Sequence, residues 1–155
     1  MSFLYYRYAE SGSPWSAIGL LSDRNNNAKG IRVGGSYANE KFMIGVNNSR
    51  TIADHVLSTN KAQFIVSKIV FNEGGSTNDN VYSMVYNEGD TVTSSEPVTW
   101  QYSKTGMGIP ADELRFIYTK IESPCDKFVF DDFRIGETWA DVADAPALGT
   151  VIVID

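Results

Sequence analysis

The chain has 155 residues, a single cysteine (Cys125) and a formal net charge of −6. That length suits one domain with a core of its own, and one cysteine excludes an internal disulfide. Acidic balance with scattered Lys and Arg argues against nucleic acid, and apolar runs no longer than Phe64-Ile65-Val66 or Val151-Ile152-Val153-Ile154 fall far short of the ~20 residues of a spanning helix, so no membrane insertion is expected.

In chain order the sequence reads as strands divided by turns. Met1 to Tyr8 lacks the zones of a secretory leader, and Phe3 to Tyr8 is an aromatic strand. Trp15 to Leu21 is a second strand, with Ile18 and Leu20 on one face. Asp23-Arg24-Asn25-Asn26-Asn27 is a turn, because Asp and Asn bond their own main chain and tolerate left-handed backbone. Ile31 and Val33 make a short strand closed by Gly34-Gly35; Phe42, Ile44 and Val46 alternate in the next, and Asn47-Asn48 turns again. From Ala62 to Phe71 apolar residues occupy both faces, the mark of a central strand. A polar loop, 73–80, leads to a returning strand at Val81 to Tyr86.

Pro97 to Ser103 is a polar stretch carrying Trp100 and Tyr102, which share a face if the stretch is extended. Pro110 to Glu113 suits one helical turn before a strand at Leu114 to Thr119. Pro124-Cys125-Asp126 reads as a small, partly buried cysteine with no base to activate it. The next strand, Phe128 to Ile135, breaks strict alternation: Phe128 and Phe130 fall on one face, Phe133 and Ile135 on the other. A β-bulge at Asp131-Asp132 brings all four to the core side and turns the carboxylates to an edge, where they accept main-chain hydrogen bonds. Ala140 to Ala147 suits a short helical curl, and Leu148 to Ile154 is a last strand. Sustained helical periodicity is missing. About ten short strands separated by turns predict an all-β, two-sheet antiparallel jelly-roll sandwich spanning residues 1–155.

The run Phe130-Asp131-Asp132-Phe133-Arg134-Ile135-Gly136-Glu137-Thr138-Trp139-Ala140-Asp141-Val142 resembles the strand and Thr-Trp-Ala-Asp-Val turn of the concanavalin A-like, laminin G-like jelly-roll domains of large bacterial surface and secreted proteins. Ser2 to Tyr5 is similar to the aromatic strand near the start of such domains, and Gln63 to Phe71 with Asp79 to Tyr82 to their central hairpin. The resemblance implies a single sandwich belonging to a larger extracellular or cell-surface protein. Such domains begin one or two strands before the equivalent of Phe3. Strand 148–154 is therefore expected to pair with Phe3 to Tyr8, with a second copy, or with a segment outside this chain.

Some relatives of that shape are glucanases with a row of strand carboxylates, and others are lyases with a Tyr/His pair. Neither arrangement is legible here. Asp131 and Asp132 are adjacent, and His55, the one histidine, sits in Ala53-Asp54-His55-Val56 as an ordinary loop or edge-strand residue. No cofactor is expected. The oxygen-rich loops Asp23 to Asn27 and Asn78 to Asn80 are where a structural calcium ion would find ligands, but turn chemistry explains both.

Three Trp, eight Tyr and eight Phe make carbohydrate, whose C–H faces stack on aromatic rings, the natural ligand. Trp15 and Trp139 read as structural plugs. Trp100 and Tyr102 are the leading ligand contacts, with Tyr37 and Arg50 as loop candidates. The expectation is a non-catalytic carbohydrate-binding or adhesion module. Its alternatives are a self-associating scaffold completed by strand exchange and a polysaccharide hydrolase or lyase.

Overall fold

The computed structural model of the chain describes residues 1–7, 15–26, 29–36, 41–71, 78–109, 114–122 and 128–143. Tyr37, Cys125 and the 148–154 strand lie outside the described residues, as do Pro110 to Glu113 and most of the 73–80 loop. Among the described residues the elements are β1 (Ser2–Arg7), β2 (Trp15–Leu21), β3 (Gly30–Gly35), β4 (Lys41–Val46), β5 (Ser49–Val56), β6 (Ala62–Val70), β7 (Asp79–Asn87), β8 (Tyr102–Met107), β9 (Phe116–Glu122), β10 (Phe128–Arg134) and the short helix α1 (Trp139–Val142).

Two five-stranded sheets form, ordered β10-β1-β6-β7-β8 and β5-β4-β3-β2-β9. Every neighbouring pair is antiparallel. They pack as the jelly-roll sandwich that the alternation of strands and turns predicts. No helix among the described residues is long and apolar enough to cross a membrane.

Alternation decides what lies between the sheets. Phe3 and Tyr5 of β1, Ile65 of β6 and Val81 and Val85 of β7 meet Ile18, Val33, Phe42 and Ile44 of the opposite sheet in one buried cluster. Each fully buried aromatic or aliphatic side chain there contributes about 1.5–3 kcal/mol. Two hydroxyl pairs lie inside. Tyr5 Oη and Ser16 Oγ, 2.9 Å apart, join the sheets across the core, and Ser67 Oγ and Ser83 Oγ, 2.8 Å apart, pair on β6 and β7. The rim near β5 is closed differently. Lys104 of β8, almost wholly buried, donates to Ser49 Oγ at 3.0 Å and Thr51 Oγ1 at 3.2 Å. Burial without a carboxylate partner in those bonds holds its ammonium below the usual lysine range.

The irregularity in β10 is a bulge. Ser2 pairs with Arg134 and Leu4 with Asp131, so β10 carries one residue more than β1 over that interval. Asp132 takes the left-handed conformation, φ 49°. Asp131 Oδ1 accepts the Asp132 amide at 2.8 Å, and the Asp132 carboxylate receives Arg134 Nε at 3.1 Å and Nη2 at 2.7 Å. The extra residue brings Phe128, Phe130 and Phe133 together against the main core, as expected. Ile135 does not follow them. The strand ends at Arg134, so alternation no longer directs the next side chain, and Ile135 is 58% exposed.

Candidate functional site

The outer face of the β10-β1-β6-β7-β8 sheet is itself apolar. Phe64, Val66 and Tyr86 form a second buried cluster there, with Leu4 and Met84 beside them. Two segments cover it. Residues 88–101, between β7 and β8, lay Val92 on the cluster, and residues 135–143 add Val142, 5% exposed, and Trp139. A single carboxylate organises the second segment. Asp141 Oδ2 accepts the Thr138 hydroxyl and the Thr138 amide, both at 2.8 Å, and the Glu137 amide at 3.1 Å. The Thr138 bonds hold the Asp141 carboxyl below the usual carboxylate range. Gly136 leaves room for this turn, because a Cβ there would sit 2.1 Å from Asp141 Cβ.

The two segments meet through their indoles. Trp139 Nε1 donates to the Thr93 carbonyl at 2.8 Å. The Trp100 ring lies 5.9 Å from that of Trp139 with 80° between their planes, and 6.0 Å from Tyr82 at 39°. Together they line a cleft of about 340 Å³. Its polar lining includes Lys68, Glu96, Glu137 and Thr138, and Phe71 and Ile135 add exposed apolar surface, 45% and 58%. Lys68 Nζ and Glu96 Oε1, 2.6 Å apart, are ion-paired at its wall. The cleft offers flat aromatic surface beside donors and acceptors, a combination suited to a ligand with both C–H faces and hydroxyls.

The sequence candidates are dispersed. Trp100 is in the cleft. Tyr102 is on the opposite, inner face of the same sheet, where its ring lies 4.8 Å from Phe42 and 5.9 Å from His55. The two do not share a face because Trp100 precedes β8 and the chain turns at Gln101 before extended alternation begins at Tyr102. Gln101 is fixed at that turn, its Oε1 accepting the Val85 amide at 2.7 Å and its own amide meeting Met84 Sδ at 3.3 Å. Burial pushes the Tyr102 hydroxyl up and the His55 imidazole down. His55 lies on β5, an edge strand, as the sequence reading allowed.

Arg50 sits on the other outer face of the sandwich. It is in register with Gly45, which pairs with Arg32, which pairs with Gly19. Gly45 leaves space for the Arg32 side chain, whose guanidinium lies 5.5 Å from the Trp15 ring and donates to the Asn47 carbonyl. Burial lowers the Arg32 pKa, against an opposing contribution from Tyr118 and with a smaller lowering from the charge of Arg50. Trp15 therefore packs as expected, and Arg50 and Trp100 belong to different surfaces.

Trp139 both covers the outer apolar cluster and lines the cleft, a role that exceeds the plug read from the sequence. Lys68, Glu96 and Glu137 were not legible as site residues. They come from three separate elements, and no local spacing links them.

Among the described residues, no three His, Cys, Asp or Glu side chains gather to hold a metal ion. Three side-chain oxygens of the two polar loops accept main-chain amides. Asp23 Oδ1 accepts the Asn25 amide at 3.0 Å, Asp79 Oδ2 the Ile109 amide at 2.7 Å, and Asn80 Oδ1 the Gly106 amide at 3.1 Å. No protein-family model matches this chain, and neither a curated protein nor a solved structure matches it.

Proposed function

We propose that this chain is a non-catalytic carbohydrate-binding module, concanavalin A-like in kind, which acts at a cell surface or outside the cell as part of a larger protein. The observation that carries the reading is the cleft lined by Trp100 and Trp139, where two indoles stand beside a paired ammonium and carboxylate, a further carboxylate and a hydroxyl. Sugar C–H faces pack on indole rings, and sugar hydroxyls bond charged groups more strongly than neutral ones. A hydrolytic role is less well supported, because Glu96 is engaged by Lys68. The test is a glycan array followed by calorimetry. Trp100→Ala is expected to weaken binding about tenfold or more, equivalent to roughly 1.4 kcal/mol, with the far-ultraviolet circular dichroism unchanged. Arg50→Ala, on the opposite surface, should bind as the parent does. Equal binding by the parent and Trp100→Ala would remove the cleft from consideration.

A second reading, self-association, has its own observation. Among the described residues β9 is an edge strand, and it carries Phe116, 38% exposed, and Ile117, 60% exposed. Such an edge is a template for pairing with another chain. Concentration-dependent sedimentation that Ile117→Lys abolishes would support it, and a monomer at all concentrations would dismiss it.

A further inference from the structure

Resting on the carbohydrate-binding reading above, we infer that the cleft takes the terminal one or two units of a neutral sugar chain and does not run along a chain's interior. Three observations carry this. The first is the angle between the indoles. Long stretches of polysaccharide are gripped by aromatic rings lying in a common plane, so that successive sugars stack in turn. Here the planes of Trp100 and Trp139 stand 80° apart with centroids 5.9 Å apart. A sugar ring laid on one indole meets the other as a wall, and a chain continuing in that direction is blocked. The corner is also held in place. Trp139 is tied to the Thr93 carbonyl and Trp100 is backed by Tyr82, so flattening the pair would break a hydrogen bond and a ring contact.

The second observation is size. The cleft holds about 340 Å³, at the small end of the ~300–1,000 Å³ over which ligand pockets range. The third is charge. The Lys68 ammonium is neutralised by Glu96 at 2.6 Å, Glu137 leaves one net negative charge among the lining side chains, and the Met1 amine, lowered to about 6 by burial, is mostly uncharged at neutral pH. The chain as a whole is acidic, at −6. A uronic or sialic acid would therefore enter against repulsion, whereas a neutral hydroxyl can bond either partner of the ion pair.

The experiment titrates the intact chain with neutral oligosaccharides of one to six units (malto-, cello-, xylo-, manno- and galacto- series), with cyclodextrins and cyclic β-glucans, which have no ends, and with uronic-acid oligomers. Trp fluorescence and calorimetry are the readouts. For whichever neutral series binds, affinity is expected to level off at two units, staying within about twofold up to six. Its ring-closed counterpart and acidic oligomers of equal length are expected to bind at least tenfold more weakly. The acidic deficit should narrow as salt rises from 0.01 to 0.5 M, because added ions screen the charge, and should narrow likewise in Glu137→Gln. Affinity that climbs tenfold between two and six units, a cyclic glucan that binds as well as the linear one, or acidic oligomers that match the neutral ones would overturn the inference while leaving sugar binding in place. Absence of binding to every sugar by a folded chain would overturn the carbohydrate reading itself.

Discussion

Replacing Gly136 by alanine tests the geometry that presents Trp139. The added methyl would lie 2.1 Å from Asp141 Cβ, whereas carbon atoms in contact rest about 3.5–4.0 Å apart. One side must therefore retreat by roughly 1.5 Å. Backbone conformation is not the obstacle, since Gly136 is not among the glycines with positive φ. The displaced atom belongs to the residue whose Oδ2 gathers the Glu137 amide and the Thr138 amide and hydroxyl within 3.1 Å, so those bonds stretch together. Overpacking of this sort costs about 1–3 kcal/mol. Taking about 2 kcal/mol, a chain of this length should lose ~4–8 °C in Tm. Thermal unfolding followed by circular dichroism measures this, and Trp fluorescence reports on the indoles, with a red shift expected as Trp139 leaves the outer apolar cluster. An unchanged Tm with an unchanged emission maximum would refute the close approach of Gly136 to Asp141, and with it the account of how the turn is built.

Two further outcomes are expected. At the bulge, Asp132→Gly and Asp132→Val both lose the partly exposed pair with Arg134, itself worth no more than about 1 kcal/mol. Both must adopt φ 49°, which glycine does freely and valine does not, so the valine variant should be less stable than the glycine one by about 1–2 kcal/mol in urea unfolding, and equal stabilities would deny the left-handed conformation. The His55 imidazole is lowered by burial, so the folded state prefers it neutral. Stability is full above the ordinary histidine value near 6.5 and falls as pH drops below it, because the unfolded chain then takes up the proton more readily. The Met1 amine, lowered to about 6 by burial, titrates in the same sense. The informative measurement is therefore the difference in Tm between the parent and His55→Gln at pH 7.5 and 5.5. His55→Gln should lose less on acidification, and an identical loss would clear His55 of any part in it.

Most of the fold was legible because most strands have a dry face. Alternating or doubly apolar runs marked β1, β2, β4, β6 and β7, and the spacing of Phe128, Phe130 and Phe133 demanded the bulge that β10 contains. β5 and β8 went unread as strands for one physical reason. Both lie at sheet edges, and their sequences, Ser49 to Val56 and Tyr102 to Met107, are dominated by polar residues. Their identity comes from main-chain pairing with β4 and β7, which leaves no hydrophobic trace. The same blindness misplaced Tyr102. Without a known strand start, Trp100 and Tyr102 could be put on one face only by assuming extended chain through Gln101. Trp100 itself was found by residue type, because a large ring in a polar stretch needs either a core or a ligand. Lys68 shares its face of β6 with Phe64, Val66 and Val70, and its partner Glu96 comes from the distant segment 88–101.

The passage of the chain from the sandwich exterior to its interior takes a single residue. Gln101 is clamped by the Val85 amide and by Met84 sulfur, and on either side of it one ring faces outward and the next is wedged against Phe42. The outer indole thus has almost no slack, and its orientation is set by the same packing that keeps the two sheets together. A surface ring so tethered gives up little freedom when something settles on it, and trimming the partly buried Tyr102 on the inner face should be felt at the outside as a loosened Trp100.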